Sequence, residues 1–224
     1  MIIKITYKKI IIIFLFLIFV KNLLSVDSHK NLLNILEYNF PLEITFEQTH
    51  RDEKINGWMV IYGNGMARTE FEPPNNNIIV ADGRWIIFYD PYIDRTTYIP
   101  LDSGIFEALL NPKSLNKDNN FKVFEVTTKD TIDFIIEFNL NNNNQKVIIS
   151  FDKQNSILLG WKLYESKDDY INVKVKSLKK FQRTGVKLDK FFKLSESSIK
   201  TEDFYFGPYK KRKVKKVLGS GRLN

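Results

Sequence analysis

Two histidines, His29 and His50, are the only side chains in this 224-residue chain whose unperturbed proton affinity suits transfer near neutral pH. His29 follows an apolar N-terminal run, and His50 stands in the charged turn His50-Arg51-Asp52-Glu53. Neither has the spacing of a metal-binding pair. The chain has no cysteine. That excludes thiolate nucleophiles, disulfides and cysteine-based zinc sites, and it means the chain is not itself lipidated at an N-terminal cysteine. The G-x-S-x-G elbow, the P-loop and the dinucleotide fingerprint are all missing. Carboxylate pairs such as Asp168-Asp169 fall in turn-forming segments, where hydration accounts for them. No catalytic constellation, metal or cofactor is expected, and the reading is not an enzyme. The chain is 43% hydrophobic, with 18 Phe and 10 Tyr, although such richness taken alone describes an ordinary core.

The net charge of +8 raises the question of an anionic partner. Part of the excess is local, since Lys210, Lys211, Arg212, Lys213, Lys215 and Lys216 crowd one terminal tail. The abundance of Lys, Ile and Asn is also what an AT-biased coding sequence produces. No nucleic-acid partner is expected. Residues 209–224 read as a basic, disordered tail. The competing reading lets the tail touch anionic head groups, at about 1 kcal/mol per basic residue.

Residues 1–25 read as a secretory signal. Lys4, Lys8 and Lys9 supply the positive start, and Ile10 to Val20 is an unbroken apolar run. That run is short beside the roughly 20 residues of a bilayer span. Ser25 and Ser28 place the cut between 25 and 28, and an uncleaved membrane anchor is the alternative. An exported, cysteine-free chain fits the periplasm.

The remainder, residues 29–208, reads as one β domain. His29–Tyr38 has helical spacing, with Ser28 as a cap and Pro41 as a stop. Leu42–His50 alternates as a half-buried strand, and Gly57–Tyr62 is apolar throughout. Arg68–Phe71, Asn77–Ala81, Trp85–Asp90 and Arg95–Pro100 follow in hairpin succession. A short helix, Gly104–Leu110, comes next and is ended by Pro112. Strands are then expected at Phe121–Val126, Thr131–Phe138, Lys146–Phe151, Ile157–Tyr164, Tyr170–Ser177 and Leu188–Leu194. This spacing predicts a mainly β fold: an open, incomplete antiparallel β-barrel or strongly curved sheet, with a few helices covering its concave side. In the central hairpin, Asp82-Gly83 is expected to form the two-residue turn. That register opposes Ala81 to Arg84, Ile79 to Ile86 and Asn77 to Phe88.

The block from Arg68 to Leu101 resembles the periplasmic outer-membrane lipoprotein carrier proteins, the LolA-like family. The match lies in Arg68, Glu70, Phe71, Pro73, Pro74, Asp82, Gly83, Tyr89, Asp90, Pro100 and Leu101. The resemblance implies an incomplete barrel whose cavity holds the acyl chains of lipoproteins in transit. It places inward positions at Ala67, Thr69, Phe71 and Ile79. Hairpin register adds Ile86 and Phe88, and the helical stripe adds Phe106, Leu109 and Leu110. With Phe46, the expected acyl-chain-binding set is Phe46, Phe71, Ile79, Ile86, Phe88, Phe106, Leu109 and Leu110. Phe88 and Phe106 are expected to face one cavity from opposite sides.

The implied partners are acylated lipoproteins, an inner-membrane lipoprotein-releasing transporter, and an outer-membrane acceptor or membrane surface. A monomer is expected. Other readings are a lipid-binding or envelope-stress-sensing module on the same architecture, and a membrane-anchored structural protein. Two departures stand out. Many carriers have Arg-Pro, with the arginine helping to hold a lid, where this chain has Gly63-Asn64. From Leu188 onward the match is weak. Arg68, the family's other arginine, is assigned only a structural role.

Overall fold

The computed structural model describes residues 28–101, 105–116, 121–140, 143–182, 188–194 and 206–208. The expected signal segment and basic tail lie outside the described residues. Helix α1 covers residues 28–39. Six strands follow in succession: β1 (Leu42–His50), β2 (Glu53–Gly63), β3 (Met66–Phe71), β4 (Ile78–Asp82), β5 (Trp85–Asp90) and β6 (Arg95–Pro100). Helix α2 (Ile105–Leu110) and a 3-10 turn (Pro112–Asn116) lead to β7 (Phe121–Thr127), β8 (Thr131–Leu140), β9 (Asn143–Asp152), β10 (Leu158–Tyr164) and β11 (Tyr170–Lys180). A single helical turn, α3 (Leu188–Phe191), comes last.

The strands form one 11-stranded sheet in the order β6-β5-β4-β3-β2-β1-β11-β10-β9-β8-β7. Every pairing is antiparallel. The sheet is open, because β6 and β7 are edges and do not pair. The chain passes from one edge to the other through α2, which touches β2, β8 and β9. No helix among the described residues is long and apolar enough to cross a membrane.

Both faces of the sheet are covered, which explains why Gly57–Tyr62 is apolar throughout. On the concave face, Leu32, Ile35 and Leu36 of α1 pack with Ile44, Phe46, Val123, Phe134, Ile136 and Ile149. On the convex face, Trp58, Val60, Val80 and Ile87 pack beneath Phe181, Phe191, Phe192 and Leu194.

Two expectations require correction. Leu188–Leu194 is not a strand: α3 forms there, and the Phe192 N–H donates to the Leu188 carbonyl at 3.1 Å. Phe191 and Phe192 are adjacent and almost wholly buried, at 0% and 2% exposure. Successive strand residues point to opposite faces, so a helical turn is what places both rings on the convex side. The hairpin register also differs. Ala81 pairs with Ile86 and Ile79 with Phe88, so the two loop residues are Gly83 and Arg84. Gly83 carries the positive φ of 93°. Asp82 closes the turn from outside, its Oδ1 accepting from the N–H groups of Arg84 at 2.9 Å and Trp85 at 2.8 Å. The opposing partner moves by two residues, so each side chain keeps its face.

Candidate functional site

The inward side chains of the sheet and the inner face of α2 enclose an apolar cavity of about 560 Å³. Its walls come from β1 to β6 and from β9 to β11. Thr97 and Ile99 of β6 therefore share a space with Ile149 of β9, which requires the sheet to curl around it. Cross-strand pairing arranges the β2–β6 wall in rows. Ile61, Ala67, Ala81, Ile86 and Ile99 form one, and Met59, Thr69, Ile79, Phe88 and Thr97 form the next. Phe46 lies opposite Gly57, which lies opposite Phe71. A Cβ on Gly57 would sit 2.3 Å from the Phe46 ring, so the missing side chain is what leaves room for that ring. Phe46 and Phe71 meet edge to face at 5.8 Å.

Phe46, Phe71, Ile79, Ile86, Phe88, Phe106, Leu109 and Leu110 all line this one cavity. Phe46, Phe71 and Ile86 are buried, while Ile79, Phe88, Leu109 and Leu110 are half-buried. Phe106 is 43% exposed, as befits a residue at the rim. Phe88 approaches from the sheet and Phe106 from the helix. Sequence reasoning missed the opposite wall, formed by Ile149, Leu158, Trp161, Leu163, Ile171 and Val173, with Leu36 and Phe40 from the α1 side. Alternation does put Trp161 with Leu163 and Ile171 with Val173 on common faces. It does not say which face is concave. Five polar side chains, Gln48, Thr69, Asn75, Asn77 and Thr97, also reach the cavity.

A backbone latch holds the C-terminal end of α2. The Gly65 N–H donates to the Leu110 carbonyl at 2.9 Å, and the Gly83 N–H donates to the Gly65 carbonyl at 3.1 Å. The β2–β3 turn thus docks on both the helix and the neighbouring hairpin. Gly63, Asn64 and Gly65 have φ of 93°, 53° and 78°. Proline cannot adopt a positive φ, so this turn is incompatible with the Arg-Pro pair common in the family.

Arg68 lies on the convex face, outside the cavity, and is fully buried. Its Nε donates to Glu70 Oε1 at 2.8 Å, and its Nη1 to the Phe191 carbonyl at 3.1 Å. The guanidinium sits 4.7 Å from the Phe206 ring centroid and 5.6 Å from that of Phe191. Glu70 in turn accepts from the N–H groups of Phe206 and Gly207, each at 2.7 Å. This pair anchors the C-terminal segment to β3.

His50 meets Asp169 at 3.0 Å, with Glu165 close by, at the tips of two hairpins. The Arg51 guanidinium lies 2.9 Å from Asp169 and holds its carboxyl below the usual range, with His50 adding to the effect. This cluster is an exposed ion pair, and its carboxylate already has a cation.

A family model described as outer membrane lipoprotein carrier protein LolA matches residues 41–195. The chain is 23% identical over 105 residues to an outer-membrane lipoprotein carrier protein of Aeromonas salmonicida, covering 47% of this chain and 52% of that one. It is 24% identical over 149 residues to the same-named protein of Haemophilus ducreyi, covering 63% and 70%. The chain thus spans about half the length of the first of these relatives. Among solved structures, a LolA superfamily protein of Nitrosomonas europaea is similar over 72% of this chain and 97% of its own, with 12% identity and a TM-score of 0.39. MucB is similar over 77% and 64%, with 12% identity and a TM-score of 0.44. Since the family model spans the whole described sheet, from Pro41 before β1 to just past α3, the chain belongs to the LolA family of outer membrane lipoprotein carrier proteins.

Proposed function

We propose that this chain binds acylated lipoproteins in the periplasm and carries them from an inner-membrane releasing transporter to an outer-membrane acceptor. Their acyl chains would occupy the cavity beneath α2. The observation that carries this reading is the one apolar cavity into which Phe46, Phe71, Ile79, Ile86, Phe88, Phe106, Leu109 and Leu110 all project. Each CH₂ moved from water into such a space is worth about 0.8 kcal/mol. A few acyl chains therefore hold a lipoprotein in water without directional bonds, and without contacts that would select one cargo protein over another.

The test is release of a radiolabelled lipoprotein from inner-membrane vesicles by purified protein, run beside thermal melting. Wild-type protein should solubilise the lipoprotein. Phe88→Glu puts a carboxylate among hydrocarbon, where an unpaired charge costs several kcal/mol or becomes protonated. Release should fall by more than stability does, because the half-buried position lets water reach the carboxylate in the empty cavity. Release by Phe88→Glu at the wild-type level would refute the role of this face. Wild-type protein that takes up phospholipid but no lipoprotein would refute the carrier reading and favour a lipid-binding module.

A further inference from the structure

The cavity is wholly apolar at one end, and that asymmetry sets how a ligand lies in it. The Gly65–Leu110 bond places the end of α2 beside the β2–β3 turn. The adjoining row, Ile61, Ala67, Ala81, Ile86 and Ile99, is wholly apolar. Four residues further along β3, at Phe71, the opposing residue is Asn77, just before β4, whose backbone carbonyl accepts the Phe71 N–H at 2.9 Å. The separation between the two levels is about 13 Å at the ordinary rise of a strand. Asn75 and Gln48 line the cavity at that same far end. The Asn77 side-chain oxygen is sequestered from solvent and has no hydrogen-bond partner among the described residues. A buried acceptor left unpaired is costly, and native structures nearly always satisfy one. Asn77 lines the cavity, and rotation about its broad χ2 brings the oxygen to the space a ligand would fill.

Resting on the carrier reading above, we infer that Asn77 recognises the amide of an N-acylated, diacylglyceryl-modified cysteine. The hydrocarbon lies toward α2, and the amide N–H donates to the Asn77 oxygen. A diacylglyceryl unit alone offers only ester oxygens, which accept and cannot donate. Asn77 is thus a specificity residue for lipoproteins over simple acyl lipids, while the apolar row beside α2 binds either.

Equilibrium binding separates the two ideas. The probes are a synthetic triacylated cysteine lipopeptide, dipalmitoyl phosphatidylcholine and pyrene, the last two having no hydrogen-bond donor. Asn77→Leu should bind the lipopeptide about tenfold more weakly, the upper range for one hydrogen bond. Pyrene and phosphatidylcholine binding should stay within about twofold of wild type. Asn77→Gln, which keeps an amide oxygen without introducing a charge, should retain most lipopeptide affinity and show that the site still folds. Equal lipopeptide binding by wild type and Asn77→Leu would overturn the inference and leave the carrier reading intact. Parallel loss of all three probes would overturn it too, because Asn77 would then only support the wall. Wild-type protein that binds pyrene and not the lipopeptide would overturn both.

Discussion

Replacing Gly65 by alanine tests whether the α2 lid is held by backbone rather than by a side chain. Gly65 sits at φ 78°, a left-handed conformation that costs about 1–2 kcal/mol for a residue with a Cβ. The new methyl carbon would stand 2.8 Å from Leu101 Cδ2 and 3.0 Å from the Gly83 Cα. The leucine methyl can rotate away, but the Gly83 backbone can yield only if the β4–β5 turn moves. Overpacking of this kind costs about 1–3 kcal/mol. Together the two effects reach about 2–5 kcal/mol, a large part of the 5–15 kcal/mol by which a domain is stable. The simplest relief is for the turn to move away from Gly83, which breaks the Gly83–Gly65 bond and displaces the Gly65 N–H from the Leu110 carbonyl. Hydrogen exchange at the amide of position 65 and along α2 should then rise well above the global rate, and a bound acyl probe should dissociate faster. Gly63→Ala is the control. It has a similar positive φ of 93°, but its Cβ would meet only Phe40 at 3.7 Å, so strain is present without the clash. If exchange across α2 is unchanged in Gly65→Ala while the melting temperature drops, the lid is held elsewhere and the latch argument fails.

Two further outcomes concern the rest of the molecule. Arg68→Met should lower stability by about 3–5 kcal/mol in urea titration, because it strands the fully buried Glu70 carboxylate with only two backbone donors. Acyl binding by the folded fraction should persist, and a loss below about 1 kcal/mol would show the pair to be dispensable. His29 has its pKa held below the ordinary 6.5 by burial. The unfolded chain therefore takes up the proton first, and this histidine's contribution to stability is complete above 6.5 and declines as pH falls below it. His29→Gln should flatten the melting temperature between pH 7.5 and 5.5, and an unchanged slope would contradict that.

Much of the architecture was readable because hairpins leave strong local marks. Alternation in Leu42–His50 and turn residues such as Asp82-Gly83 gave the strands and put Ile79, Ile86 and Phe88 on one face, and the family resemblance named that face as inward. The register itself was misread, since an aspartate can enter a loop or cap it from outside, and only the fold decides between these. Leu188–Leu194 failed for a different reason. A short apolar run looks the same whether it is a strand or a helical turn, and the adjacent Phe191 and Phe192 are buried together only by the second. The β9–β11 wall was hidden because periodicity groups residues by face without naming the face. Neither the Gly65–Leu110 latch nor the C-terminal clasp on Arg68 and Glu70 was legible, since both join positions distant in the chain through backbone groups that sequence does not distinguish.

The clasp and the cavity meet at β3, and the pleat keeps them chemically separate. Ala67, Thr69 and Phe71 point inward to the cavity, while Arg68 and Glu70 point outward to Phe191, Phe206 and Gly207. A strand that had to admit hydrocarbon on one face would be a weak anchor if its other face were bare to water, because a cavity forfeits the packing contacts that stabilise a core. The outward face offsets that loss. A charge pair with no exposure is satisfied by backbone and aromatic partners there, and breaking it is expensive. The same strand can therefore face a partly unfilled space and still be fixed in position. Small inward residues at Ala67 and Thr69 widen the cavity, and the outward pair confines the cost to one face. A carrier of the proposed kind needs that division, because a wall rigid enough to keep its shape without cargo must draw its stability from contacts the cargo never touches.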